Sequence, residues 1–251
     1  LVRAGKHGET ESLNLDNNIA QIGFNECPDL SQAPDLDAVK ALMIQANPGL
    51  TAGTAANWAA QLNAFSNRIV IGDIIVMPLK TSAQVALGKV SRPYYFFKDE
   101  SYDSVGKHRI GVDLQAPDVP RSNFKQDLLY SFGAFMTVCQ IRRNNALERA
   151  KAVLASHADP GDNKLSNLPD QGSGEEPGEF DLHAALRDQI TRHIQSHFSG
   201  HDLARLVAAI LSVDGYQTKT APFGPDGGVD ILAGKGPLGL DSPRLHVQVK
   251  A

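Results

Sequence analysis

The chain has 251 residues, 42% of them hydrophobic and 21% charged, with a formal net charge of −4. That length allows one large or two ordinary domains, and the composition is that of a soluble globular protein rather than a fibrous or disordered one. No apolar run is long enough to span a bilayer, and the residues from Leu1 onward lack a secretory-signal pattern, so a cytoplasmic home is expected.

Cys27 and Cys139 are far apart, without metal-type spacing, and read as reduced core thiols. The acidity is local: residues 1–154 hold 16 Lys and Arg against 15 Asp and Glu, residues 155–180 one against six, and residues 181–251 seven against seven. Two near-neutral bodies joined by an acidic tether neither require nor exclude nucleic acid.

The chain opens with polar sequence, then Asn18 to Phe24 reads as a strand. After the start signal at Pro34, Leu36, Val39, Leu42 and Met43 give a helix over Asp35 to Ala46. Trp58, Leu62 and Phe65 form one stripe of a second helix over Thr54 to Phe65. Strands are expected over Ile69 to Pro78, Val85 to Val90, Tyr94 to Phe97 and His108 to Leu114. A helix over Phe124 to Phe132, a strand over Phe135 to Ile141 and a helix over Asn144 to Leu154 complete the reading. Mixed strands with short helices suggest an α+β domain built on a small, partly closed barrel.

This first domain, residues 1–154, resembles the PUA-like superfamily with its EVE, YTH and SRA modules. The resemblance rests on Ile19 to Asn25, on Gly72-Asp73 followed by the apolar run to Lys80, and on Ala86 to Val90 leading into Pro93-Tyr94-Tyr95. It implies a reader of modified bases, and a base is enclosed only after leaving the stack, at a cost of a few kcal/mol. Phe24, Trp58, Tyr94 and Tyr95 are the candidate stacking residues, with Asn25 or Asn57 for polar edges. Trp58 on an apolar stripe is equally a core residue, and Tyr94 and Tyr95 point to opposite faces of a strand, so one pocket takes at most one of them. Lys80, Lys89, Arg92 and Arg121 are candidate phosphate contacts, or solvated surface.

Residues 155–180 are rich in Gly, Pro, Ser and acids and read as a flexible linker. Beyond it, Leu182, Leu186, Ile190, Ile194 and Phe198 recur every four residues, predicting a helix with one buried edge. His193, His197 and His201 also recur every four, but no acid or cysteine completes a zinc set, so a polar face is the simpler reading. Leu203, Leu206, Val207, Ile210 and Leu211 then give a full amphipathic stripe that Gly215 ends, and Ser199 to Asp202 fits a capping box with the Asp202 carboxylate at the helix start.

The last stretch carries the chemistry. Val229 and Ile231 flank Asp230 in strand alternation, and Leu245, Val247 and Val249 alternate with Arg244, His246, Gln248 and Lys250. Gly234, Gly236, Pro237, Gly239 and Pro243 between them would fold the second strand beside the first, bringing an acid, an amide and a lysine to one sheet edge. Asp-Gly-Gly-Val-Asp followed by Gln-Val-Lys resembles the signature of Mrr-type restriction endonucleases, a branch of the PD-(D/E)XK nucleases. The resemblance implies an α/β nuclease domain over residues 181–251, with Asp230 holding Mg²⁺, Gln248 at the second acid position and Lys250 as the catalytic lysine. It departs from the family at Ala204, where the upstream helix usually brings an acid; Asp202 is the substitute metal ligand, or only a cap, and Asp226 is a reserve. The nuclease fold normally continues past the lysine, so the chain is expected to hold only the first part of that domain.

The combined expectation is a modification-dependent endonuclease acting on double-stranded DNA that carries a modified base. A homodimer suits double-strand cleavage. The alternative is a non-catalytic modified-DNA or RNA-binding protein with a degenerate nuclease domain.

Overall fold

A computed structural model describes residues 1–98, 106–133, 136–161, 182–221, 228–236, 238–239 and 241–250. The contacts divide the chain into two units, Leu1–Ala185 and Leu186–Ala251. Among the described residues no helix is long and apolar enough to cross a membrane.

The first unit is organised by four antiparallel strands: β1 (Ile19–Ile22), β2 (Ile74–Pro78), β3 (Gln84–Phe96) and β4 (His108–Pro120), in the order β1-β4-β3-β2. The sheet curls into half a barrel. Its curl follows from irregular pairing of the two long strands, whose register shifts at Val85/Leu87, Leu87/Gly88, Val90/Arg92 and Arg92/Tyr95, because bulges add twist. Gly88 is required at one of these approaches, since a Cβ there would stand 2.3 Å from the Asp113 carbonyl oxygen.

The two faces of the sheet bury different helices. Ala20, Ile75, Met77 and Ile110 pack against α2 (Leu36–Ala46) and α3 (Ala52–Asn63), which supply Val39, Met43 and Leu62. Val76, Val85 and Leu87 pack instead against α4 (Gln126–Phe132) and α5 (Ala146–Ser156), through Leu128, Phe132 and Val153. The alternation of Ile75, Val76 and Met77 between two cores is the strand period at work.

Local signals set most of these elements. Asp35 caps α2 by accepting from the Ala38 amide, and Thr51 caps α3 by accepting from Thr54, as side-chain oxygens at helix starts do. A π-helical turn, Ala64–Arg68, carries α3 toward β2. Cys27 and Cys139 are not joined in a disulfide, and burial, with Glu26 nearby, pushes the Cys27 thiol up to about 11, keeping it protonated.

Several expectations are corrected. The run Ile69 to Pro78 is a strand only from Ile74, because Val70 to Asp73 forms a tight turn in which Asp73 accepts from the Val70 amide. Val85 to Val90 and Tyr94 to Phe96 belong to one strand, β3, which stops one residue short of the expected Phe97, with Pro93 tolerated because it falls where the register slips. The strand at His108 runs on to Pro120. In place of a strand over Phe135 to Ile141, the described residues show a single bridge, Val138 to Val2. A short helix, α1 (Glu11–Asn17), stands in the polar opening, its buried Glu11 carboxylate accepting from the amides of Lys80 and Thr81 and from the Thr81 hydroxyl.

Packing continues past Leu154. The Arg149 guanidinium is 2% exposed and places all five N–H groups: two on Asp127, two on Asp159 and one on the Asn144 carbonyl. Asp159 also accepts from the amides of Lys125 and Gly161, so residues to Gly161 are fastened to α4 and α5 rather than being linker. The rest of the expected linker, 162–180, lies outside the described residues.

The helix α6 (Leu182–His197) begins in the last residues of the first unit, and the second unit continues with α7 (His201–Val213) and a three-stranded antiparallel sheet, β5 (Gln217–Thr220), β6 (Ile231–Lys235) and β7 (Asp241–Val247), with β6 central. The buried edge expected for α6 is only partly realised, since Leu186 and Ile190 are 46% and 58% exposed.

Candidate functional site

α7 sets one wall of the second unit. Its Ala204 and Ala208 are buried against Ile231, with Val207, Leu211, Val247 and Val249 packed around them, so the helix covers one face of the β6–β7 pair. Small residues on the helix let it lie close to the strands. Gly200, at φ 52°, caps the helix without a side chain, which corrects the expected capping box. Asp202 is instead the second helical residue, exposed and paired with Arg205 at 3.3 Å. Ala204, the position where the sequence resemblance implies an acid, faces the apolar core.

Asp230 stands at the bend just before β6, not inside it as alternation suggested. Three hydrogen bonds fix it between its neighbours: its amide donates to the Val247 carbonyl at 2.9 Å, its carbonyl accepts from Ala221 at 2.8 Å, and its carboxylate Oδ2 accepts from the Val249 amide at 2.7 Å. The side chain thus substitutes for a backbone carbonyl where the ladder of β6 and β7 ends. Among the described residues Oδ1 has no hydrogen-bond partner.

Val249 lies between Gln248 and Lys250, so the amide that holds the Asp230 carboxylate is one residue from each. β7 ends at Val247, yet the exposure alternation continues: Leu245, Val247 and Val249 are half-buried, and His246, Gln248 and Lys250 are exposed. Gln248 and Lys250 therefore share the face away from α7. The Gln248 carboxamide lies over Gly228, where a Cβ would stand 3.6 Å from its Nε2. The chain brings Asp230, Gln248 and Lys250 into one neighbourhood and leaves Asp202 with Arg205. Among the described residues no three His, Cys, Asp or Glu side chains group in a way that could hold a metal ion. Asp226 is outside the described residues. On α6, His193 and His197 stack at 4.1 Å on an exposed face, with His197 Nδ1 3.1 Å from the His193 carbonyl oxygen.

The residues singled out for base reading fall into two groups. Phe24, at φ 65°, meets Trp58 edge-on at 5.4 Å, and both pack with Tyr94 against the core. Tyr94 belongs to a hydrogen-bonded relay with His108, which is fully buried and whose pKa burial lowers to about 4, so its imidazole is neutral near pH 7. A neutral ring with Nε2 3.2 Å from the Phe24 carbonyl donates there, which leaves Nδ1 to accept from the Tyr94 hydroxyl at 2.9 Å; Tyr94 in turn accepts from the Leu30 amide at 3.1 Å. Asn25 accepts from the Lys107 amide, and Asn57 from Gln61. The relay bolts the 24–30 segment to β3 and β4, using the polar ends of Tyr94 and His108, while the Asn57–Gln61 bond stays within α3. Neither His108 nor its relay has a local sequence signal.

Tyr95 stands apart, under the Arg92 guanidinium at 3.9 Å, while Arg109 lies 3.6 Å over Phe97. Lys89 is exposed on β3, Lys80 is half-buried beside the Glu11 anchor, and Arg121 opens the 3₁₀ turn after β4. The four proposed phosphate contacts are therefore spread along the sheet rather than gathered at one point.

Comparison with known families matches residues 2–110 to a domain of unknown function (DUF8426) and residues 195–251 to the Mrr catalytic family, described as a restriction endonuclease. No curated protein and no solved structure matches the chain. The second match spans α7, the three strands and the Asp230, Gln248 and Lys250 positions. Residues 195–251 are thus similar to Mrr-type restriction endonucleases, whose substrate is DNA.

Proposed function

We propose that the protein is a modification-dependent DNA endonuclease, in which the N-terminal unit, of PUA-like type, reads an altered base and the C-terminal unit hydrolyses phosphodiester bonds with Mg²⁺. The observation that carries the cutting half is the bond from the Val249 amide to Asp230 Oδ2, which holds an acid beside the exposed Gln248 and Lys250 in a segment similar to restriction endonucleases.

The donor chemistry suits a hard cation. Asp230 Oδ1 and the Gln248 carboxamide oxygen are oxygen ligands, and Mg²⁺ is commonly held by one or two carboxylates with the remaining positions left to water and substrate phosphate. When bound, it supplies charge neutralisation on the phosphate and acidifies a water. The chain's own residues then have distinct tasks. Oδ2, spent on a backbone amide, fixes the direction of Oδ1; Gln248 orients the attacking water; and the Lys250 ammonium stabilises charge growing on the phosphate. Asp202, tied to Arg205, is left out of this set. Two copies acting together would cut both strands.

One observation favours a second reading. Ala204 lies in the core and supplies no second acid, as in a degenerate site that binds DNA without cutting it. Plasmid cleavage by the wild type, Asp230→Asn and Lys250→Ala separates the two: the enzyme reading expects Mg²⁺-dependent cutting that both variants lose while DNA binding stays. An uncut plasmid with the wild type would favour the binder.

A further inference from the structure

The N-terminal unit contains a cavity of about 580 Å³, away from the Phe24–Trp58–Tyr94 cluster, in the size range of small-ligand sites. Its walls are aliphatic, with Ile69, Ile75, Val138 and Ile141 among them. Its mouth is polar. Gln140 Oε1 accepts from Arg68 Nη2 at 3.2 Å and from Arg142 Nε and Nη2 at 3.1 and 2.8 Å. Two guanidinium groups thus converge on one neutral oxygen, and among the described residues neither has a carboxylate partner.

Like charges held this close, with no counter-ion among the described residues, favour an anion, and guanidinium forks match phosphate oxygens. Asp73 also borders the cavity, but its Oδ2 is taken by the Val70 amide, and the mouth keeps one positive charge in excess. Beside it, the turn after Arg68 holds Val70 and Ile71 out to solvent, 56% and 63% exposed. The Asp73–Val70 bonds and the Gly72 amide on the Val90 carbonyl keep that turn in shape. Rigidly presented aliphatic side chains are what proteins insert between base steps when they unstack DNA.

We propose that this cavity receives a nucleotide drawn out of DNA, its phosphate clasped by Arg68 and Arg142, with Val70 and Ile71 filling the gap left in the stack. The proposal rests on the base-reading function given above and assigns it to the cavity rather than to the Tyr94 relay, whose polar groups are already spent.

The test uses the whole protein without divalent metal, so that nothing is cut. Anisotropy of a labelled duplex bearing a methylated base beside 2-aminopurine is followed across a salt series for the wild type, an Arg68→Gln/Arg142→Gln double variant and Ile71→Ser. All substituted side chains are exposed, so thermal melting should not change. The double variant should bind about tenfold more weakly, and the slope of log K against log salt should become shallower by about 0.9, the value of one phosphate contact. Ile71→Ser should lose most of the 2-aminopurine fluorescence rise that reports unstacking. Wild-type binding with an unaltered salt slope in the double variant would overturn the cavity assignment alone. No duplex binding by the wild type would overturn the base-reading function with it. A 5′-deoxymononucleotide whose binding needs both arginines, while duplex binding does not, would give the cavity to a free nucleotide and overturn the DNA proposal.

Discussion

On the proposed function, Asp230 does two jobs with one side chain. Oδ2 closes the end of the β6–β7 ladder on the Val249 amide, so truncation to alanine would orphan that amide and cost about 1–3 kcal/mol as well as removing the acid. Asp230→Asn keeps an acceptor for Val249 and discards the charge. It should melt within a few degrees of the wild type while losing cleavage, and a large fall in melting temperature would show that the charge, rather than the acceptor, holds the strand end. His108 gives a pH signature of the other unit. Its folded pKa of about 4 is below the ordinary 6.5, so under acid conditions the unfolded chain binds a proton that the fold refuses. The stability from its neutral form is present above pH 6.5 and is lost as pH falls toward 4, by up to about 1.4 kcal/mol per pH unit. Urea midpoints across that window should drop less steeply in His108→Gln, whatever its absolute stability; parallel curves would mean that His108 is not held neutral.

At the scale of elements, the firmest joint in the first unit is the Arg149 guanidinium between Asp127 and Asp159. The Asp159 side chain is fully buried, so Arg149→Met should destabilise by about 3–5 kcal/mol, chiefly by stranding a buried carboxylate. Chemical denaturation measures this, and a change below about 1 kcal/mol would mean that the cluster relaxes to water. Such joints mark the limit of what the chain reveals by reading. α2 and α3 are legible because Asp35 and Thr51 cap them from within the same turn. α1 is not, because the groups that secure Glu11 are 69 and 70 residues away. β3 looked like two strands because Pro93 punctuates it, and only its pairing with β4 shows that the interruption is a bulge. In the site, alternation identified Gln248 and Lys250 as sharing an exposed face, but the bend at Asp230, and the use of its carboxylate as a ladder group, depend on a partner strand that no local pattern encodes.

At the scale of the whole molecule, each of the two units carries its own candidate chemistry: a cationic-mouthed cavity in one, an acid, amide and lysine in the other. On the proposed function, a reader and a cutter on separate units imply that binding survives loss of the cutting residues. Arg68 and Arg142 substitutions should weaken DNA binding and leave the Asp230 neighbourhood intact, whereas Lys250→Ala should abolish cutting at unchanged affinity. Filter binding and cleavage on the same preparations would show it, and a Lys250→Ala protein that lost binding along with cutting would argue for one shared site. The most direct measurement of the central claim is Mg²⁺-dependent cleavage of a plasmid prepared with and without modified bases, by the wild type and by Asp230→Asn. The account predicts strand breaks in the modified plasmid with the wild type alone; equal cutting of both plasmids would contradict the base-reading half, and cutting that survives Asp230→Asn would contradict the nuclease site.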